Sequence, residues 1–210
     1  MLLQEMRQPR GFFRKKEKIA HWLHEHFVPS TFEINDDLSV DVDGDVDLRD
    51  QNLKIIPVKF NRIYGYFSCA QNDLKDASFA PKYVQHSFFA WANPLTSFSN
   101  FPSYIGNTLS LLETNINSLH NIHMVCKHVG GKIMIPSGCS HLLGIFLIKG
   151  GNHTVEFGIK ASYGKKDKDY DAEQKDRHLA DILNKHLRSG DIHTCQEELL
   201  DLGFIKEAKV

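Results

Sequence analysis

The sequence predicts an α/β repeat solenoid, a short parallel sheet made of 21-residue repeats and capped by helices at both ends. Two observations carry that reading. Apolar residues recur at a fixed step of 21, and a polar side chain recurs at one turn position of each unit. Val42, Ile63, Val84 and Ile105 open the rows; Val46, Phe67, Phe88 and Leu109 follow, then Leu48, Cys69, Ala90 and Leu111. Gln51, Asn72, Asn93 and Thr114 hold the turn, ahead of Leu53, Leu74, Leu95 and Ile116. A unit that cannot bury its apolar face alone is stable only when neighbours stack on it, so the ladder implies one core shared along the coils.

Within each unit, apolar and polar residues alternate over a short strand, as in Phe67-Ser68-Cys69, the period of a half-buried strand. At the turn, an inward amide can bond the backbone groups that the bend leaves unpaired. Pro81 and Pro102 then return the chain. Gly44, Gly65 and Gly106 recur near the row start, where the return segment is expected to approach the strand closely. A fifth, degenerate row restarts at Val129 after a three-residue insertion, with Ile133 and Ile135 as its inward pair.

The ends read as caps. Phe13 to Phe27 forms an amphipathic helix with Ile19, Trp22, Leu23 and Phe27 on one face, closed by Pro29 and positioned to cover the first strand edge. Ser140 to Lys149 reads as a short helix with Ser140 as N-cap and Gly150-Gly151 ending it. A strand over His153 to Phe157, a polar loop over Lys165 to Asp171, and helices over Leu179 to Leu187 and Ile192 to Leu202, the second ending at Gly203, complete the chain. The expected organisation is a helical cap over 1–32, the solenoid over 33–139 and a helical C-terminal cap over 140–210, in one continuous domain.

These units resemble the short leucine-rich repeats of bacterial effector proteins, which read L-x-L-x-x-N-x-L followed by a Pro-containing return. Phe88-x-Ala90-x-x-Asn93-x-Leu95-Thr96-Ser97-Phe98, ending at Pro102, is the nearest unit. The chain as a whole is similar to an uncharacterised family of tailed-phage proteins with such repeats. The residues that carry this likeness are Ile34-Asn35-Asp36-Asp37-Leu38-Ser39-Val40-Asp41-Val42-Asp43-Gly44-Asp45-Val46-Asp47-Leu48, Ile56-Pro57-Val58-Lys59-Phe60 and Cys195-Gln196-Glu197-Glu198-Leu199. The later rows depart from the pattern, with Phe, Ala and Thr in place of leucine. The resemblance implies a leucine-rich-repeat-like fold and a phage source, and it carries no activity with it.

Composition bounds the function. The 210 residues hold 25 Lys+Arg and 26 Asp+Glu, a net charge of -1 that argues against nucleic acid as a partner. The even total hides a gradient: -7 over residues 31–50 and +5 over residues 51–150. The longest apolar run, Leu142 to Ile148, falls well short of the roughly 20 residues a membrane helix needs. Met1 to Arg10 has no secretory core, since Gln4, Glu5 and Arg7 interrupt it. Cys69, Cys126, Cys139 and Cys195 lie far apart without framework spacing and read as reduced thiols in a cytoplasm.

Because strand side chains alternate, the inward ladder fixes what points out. The outward columns are Asp45, Tyr66, Ser87, Thr108 and Lys132; Asp47, Ser68, Phe89, Ser110 and Met134; and Arg49, Ala70, Trp91 and Leu112. Tyr66, Phe89, Trp91 and Leu112 form an apolar patch with Asp45 and Asp47 at one end, a partner-binding surface unless the caps fold over it. Asp41, Asp43, Asp45 and Asp47 are spaced like the start of a calcium loop, but they alternate with valines and no Glu closes a loop, so they read as a solvated acidic strand face. The loop His120-x-x-His123-x-x-Cys126-x-His128 has zinc-ligand types without an established spacing, with Cys139 and His141 able to join it.

Sequence alone thus points to a non-catalytic protein-binding module with no cofactor and no metal, a phage-encoded inhibitor of a host defence or regulatory protein in the host cytoplasm. A homo-oligomer is a further partner option. The alternatives are a virion or assembly component, or a zinc-dependent enzyme using the His120–His128 cluster.

Overall fold

The chain winds into a parallel β-solenoid whose coils feed two six-stranded sheets. The computed structural model describes residues 13–26, 31–150, 153–158 and 170–210. Sheet A runs β1 (Thr31–Ile34), β2 (Ser39–Asp43), β4 (Lys59–Ile63), β6 (Tyr83–Val84), β8 (Tyr104–Ile105) and β10 (His128–Val129). Sheet B runs β3 (Val46–Asp47), β5 (Phe67–Ser68), β7 (Phe88–Phe89), β9 (Leu109–Ser110), β11 (Lys132–Pro136) and β12 (Thr154–Gly158). The 21-residue ladder is the pairing register: Ile63 sits opposite Val84 and Val84 opposite Ile105 in sheet A, while Phe67, Phe88 and Leu109 pair in sheet B. The three-residue insertion is absorbed before Val129, which pairs with Ile105, and Ile133 then pairs with Leu109.

The expected single sheet is therefore two. Each coil bends between its row-opening residue and the following strand, so the row openers form a ladder of their own. Most of these strands are two residues long, too short to show alternation in the sequence. Sheet B also extends further than expected, because β12 comes from the segment assigned to the C-terminal cap.

The core lies between the sheets. Phe60, Phe67, Phe88 and Phe101 pack ring to ring along it, with centroid spacings of 5.1, 5.8 and 5.4 Å. Asn72 and Asn93 form the expected amide ladder. The Asn72 Nδ2 donates to the carbonyls of Leu48, Cys69 and Ala70, and its Oδ1 accepts from the amides of Gln51 and Leu53. Asn93 repeats this one coil on, donating to Cys69, Ala90 and Trp91 carbonyls and accepting from the Leu74 amide. The residue before each turn position, Asp50, Gln71, Ala92 and Glu113, is left-handed at φ 55, 54, 51 and 55°. That conformation costs a non-glycine residue roughly 1 kcal/mol, and the buried amide bonds it permits offset the cost.

The recurrent glycines serve a different approach from the one expected. A Cβ on Gly106 would lie 1.8 Å from the Gln85 carbonyl oxygen, and one on Gly65 would lie 2.5 Å from that of Gly44. The close contact is between stacked corners of neighbouring coils, not between a return segment and a strand.

At the first end, α1 (Lys16–His26) buries Ile19, Trp22 and Leu23 against the core, and the His26 carbonyl accepts from Gln51 Nε2 at 3.1 Å. The edge of sheet A is covered not by this helix but by β1, which pairs antiparallel with β2. The expected helix end at Phe27 and Pro29 lies outside the described residues.

At the other end, the short helix expected over Ser140 to Lys149 is a 3-10 helix, Leu142–Leu147. Ser140 does not cap it; its hydroxyl donates to the Asn117 carbonyl at 3.1 Å, and left-handed His141 occupies the cap position. The insertion, expected to be a loop, holds a single helical turn, α2 (Ile122–Val125). Helix α3 (Tyr170–Ser189) starts well before Leu179 and includes Asp171, which was expected in a polar loop; the loop's remaining described residue, Tyr170, also belongs to the helix, and 165–169 lie outside the described residues. Asn184 of α3 seals the edge of sheet B, accepting from the Val155 amide at 2.7 Å and donating to its carbonyl at 2.9 Å. An open strand edge is a template for unwanted pairing, and one amide closes it here. Helix α4 (Ile192–Asp201) is N-capped by Asp191 and tied to α3 by His186 and Lys185, both bonded to Glu198.

Candidate functional site

The outward face of sheet B is shaped by where small residues fall in the register. Ser68 sits between Asp47 and Phe89, and Ala70 lies below Trp91 in the next column. Arg49, Tyr66, Phe89 and Trp91 rise around Ser68 and enclose a shallow depression of about 260 Å³. The Tyr66 and Phe89 rings meet edge to face, 6.1 Å apart at 62°. Tyr66, Phe89, Trp91, Leu112 and Asp47 are all part-exposed and Asp45 is exposed, on the face where the sequence placed them. The helices pack elsewhere, α1 against β1 and α3 against β12 and α4. Leu112 marks the far end of the patch and leans over Gly158, where a Cβ would meet its Cδ2 at 2.2 Å.

Two expectations about this face need correction. Ser68, Ala70, Ser87 and Ser110, read as outward, are buried, because the bulky neighbours one row away lie over them. The acidic end is also less open than expected. Arg49 Nε donates to Asp47 Oδ1 and Oδ2 at 2.8 and 3.0 Å, and this pairing holds the Asp47 carboxyl below its usual range. Asp45 Oδ1 accepts from the Tyr66 amide at 2.9 Å. Burial, with the Asp47 and Asp45 carboxylates behind it, pushes the Tyr66 hydroxyl above the ordinary tyrosine value. The patch thus presents aromatic surface flanked by a paired cation and anion.

The floor of the depression carries an unspent hydrogen-bonding group. Ser68 is 1% exposed, and its hydroxyl has no hydrogen-bond partner among the described residues. A buried, unsatisfied hydroxyl is destabilising, so Ser68→Ala should raise the unfolding free energy by about 1 kcal/mol. Urea denaturation checks this; a loss of stability would show that the hydroxyl is bonded in solution.

The acidic run does not form one strand face. It turns the corner at Gly44, leaving Asp41 and Asp43 on sheet A and Asp47 on sheet B. Asp41 accepts from Asn61 Nδ2 and the Arg62 amide at 2.7 and 3.0 Å. The histidine cluster is only partly assembled: His141 joins His120, with ring centroids 5.3 Å apart, while the others go separate ways. His120 Nδ1 bonds the Val210 carbonyl at 3.0 Å, His123 is part-buried with its Nδ1 unpartnered, and His128 stacks on Tyr104 at 4.4 Å. Cys126 and Cys139 are buried, which pushes both thiols up to about 12. Among the described residues, no three His, Cys, Asp or Glu side chains are placed to hold a metal ion.

A second outward column escaped the sequence reading. Arg62, Tyr83, Tyr104 and His128 pair in succession on sheet A. The signal was the same 21-residue step, one position before each row opener. Among the described residues, no helix is long and apolar enough to cross a membrane. Comparison of the chain with family models, with curated proteins and with solved structures gives no match.

Proposed function

We propose that this chain is a non-catalytic, leucine-rich-repeat-like binding module whose protein partner docks on the outward face of sheet B. The observation that carries this reading is the ring of Arg49, Tyr66, Phe89 and Trp91 around the Ser68 hydroxyl, which is unsatisfied among the described residues, on a face against which none of the described helices packs. Tyrosine, tryptophan and arginine dominate the anchors of protein interfaces, and a stacked solenoid holds them with little ordering cost on binding. The likeness to tailed-phage repeat proteins supports a host protein, a defence or regulatory factor in the host cytoplasm, as the target.

The test is capture from host lysate by wild type and Trp91→Ala, with affinity for the captured protein and thermal midpoint measured on both. Trp91→Ala should weaken binding by about 30-fold or more while the midpoint moves by only about 2 °C. Unchanged binding, or a collapse of the midpoint, overturns the reading.

A further inference from the structure

We propose that the outward face of sheet A is the contact surface of a homodimer, in which two copies meet face to face with their solenoid axes antiparallel. The neutral total charge hides an ordered gradient across this face. At the first end, Glu33 of β1 pairs with Asp41 of β2, and Thr31 pairs with Asp43. Phe32 and Ile34 alternate with Glu33 and pack on the core, so the three carboxylates share the outward side. Glu33 and Asp43 are exposed and Asp41 is part-exposed. At the other end, Lys127 and Lys149 are exposed, and Lys149 is bridged to His128. Helix α1 packs against β1, and its His24 meets Phe32 there, on the side opposite Glu33.

Each end is electrostatically unfavourable in a lone copy. Glu33 and Asp41 stand directly opposite each other, a like-charge pair that destabilises a sheet. Among the described residues, Glu33, Lys127 and Lys149 form no ion pair, whereas Lys59 and Lys132 do.

A two-fold contact must set one patch against itself, and the register of this face permits it. Glu33 and Asp41 open one column, Arg62, Tyr83 and Tyr104 continue it, and His128 and Lys149 close it. A two-fold axis along the Tyr83 row reverses that order. Glu33 then faces the partner's Lys149, Asp41 faces the partner's His128, and Arg62 faces the partner's Tyr104. Shape follows the same reversal. Tyr64, in the adjacent column, is 44% exposed, and two coils on its register position is held by Gly106. The reversal seats each Tyr64 ring over the partner's Gly106, where no side chain competes for the space.

The middle of the face is already rigid, because Tyr83, Tyr104 and His128 stack on one another at 4.7 and 4.4 Å, so docking costs little ordering. A uniformly acidic or basic partner would match one end and be repelled at the other; a second copy matches both. Seven rows at about 4.8 Å span about 29 Å, and four residues across add about 13 Å. That footprint is below the roughly 800 Å² per partner of standard interfaces, which places the dimer in the micromolar range.

Sedimentation velocity of the full chain from about 1 to 200 μM tests the assignment. Wild type should pass from monomer to dimer with concentration, and the dimer should weaken as salt screens the end charges. Glu33→Lys and Lys149→Glu should each weaken dimerisation at least tenfold, since each sets like charges together twice. An equimolar mixture of the two variants should dimerise, because both contacts are then complementary. Trp91→Ala should dimerise as wild type does, separating this face from that of sheet B. A monomer throughout the range, full dimerisation in Glu33→Lys, a mixture that stays monomeric, or loss of the dimer in Trp91→Ala would each overturn the proposal.

Discussion

Gly106→Ala is expected to lose about 3 kcal/mol of stability, the upper range for volume forced into a packed interior. The added Cβ would stand 1.8 Å from the Gln85 carbonyl oxygen and 2.8 Å from the Gln85 carbonyl carbon. Both atoms are backbone, and both belong to the corner of the coil below, so no side-chain rotation can make room. Relief requires the two coils to separate locally, which strains the pairing of Val84 with Ile105 and of Phe88 with Leu109 on either side. Gln85→Ala is the control: its side chain is exposed and its truncation should stay within about 0.5 kcal/mol of wild type. Urea unfolding of the two variants distinguishes the cause. Equal stability would show that the corners are not stacked as described.

Asn72→Leu should cost about 4 kcal/mol or more, since each buried polar group left unpaired costs about 1–3 kcal/mol. Five backbone groups from two consecutive coils meet on this one amide. Leucine fills similar volume, so the loss would report hydrogen bonding and not a cavity. Asn72→Asp sharpens the test. It keeps an acceptor for the Gln51 and Leu53 amides but turns a second oxygen toward the carbonyls of Leu48, Cys69 and Ala70. An ionised carboxylate there is repelled, so its folded-state pKa rises above the unfolded value. Stability then falls as pH climbs from the unfolded pKa toward the folded one. The Asn72→Asp variant should be closest to wild type in mild acid and weakest at neutral pH, while Asn72→Leu shows no such trend. Denaturation at pH 4 and pH 7 reads the difference.

The parts of this fold that could be read in the sequence are those where one position repeats one physical demand. The inward column from Val42 to Val129 must be apolar in every coil, and the turn amide must reach the same carbonyls each time, so both survive as a 21-residue period. Even the three-residue insertion before Val129 is visible, because the ladder resumes after it. What the sequence hid depends on neighbours instead of period. Ser68 and Ser110 alternate correctly outward, yet Phe89, paired with both, lies over them. Two-residue strands carry no alternation, so sheet A merged with sheet B in the reading. The α2 turn is likewise too short for helical periodicity, whereas the short helix read over Ser140 to Lys149 is present as the 3-10 helix. In the candidate site, the aromatic residues were legible from alternation, while the Asp47–Arg49 pairing and the unsatisfied Ser68 hydroxyl needed coordinates. The Tyr83–Tyr104 column was legible in principle, being one position before the row openers.

In the proposed function, sheet B presents its aromatic ring to a partner and not to the protein's own caps. Its two tryptophans allow a direct measurement. Trp22 is 4% exposed inside the α1 cap, and Trp91 stands part-exposed at the rim of the depression. In a Trp22→Phe variant, acrylamide quenching of fluorescence reports Trp91 alone. The account predicts ready quenching in the free protein and protection once the captured partner is added. Emission as shielded in the free protein as that of a Trp91→Phe variant, which reports buried Trp22, would contradict it.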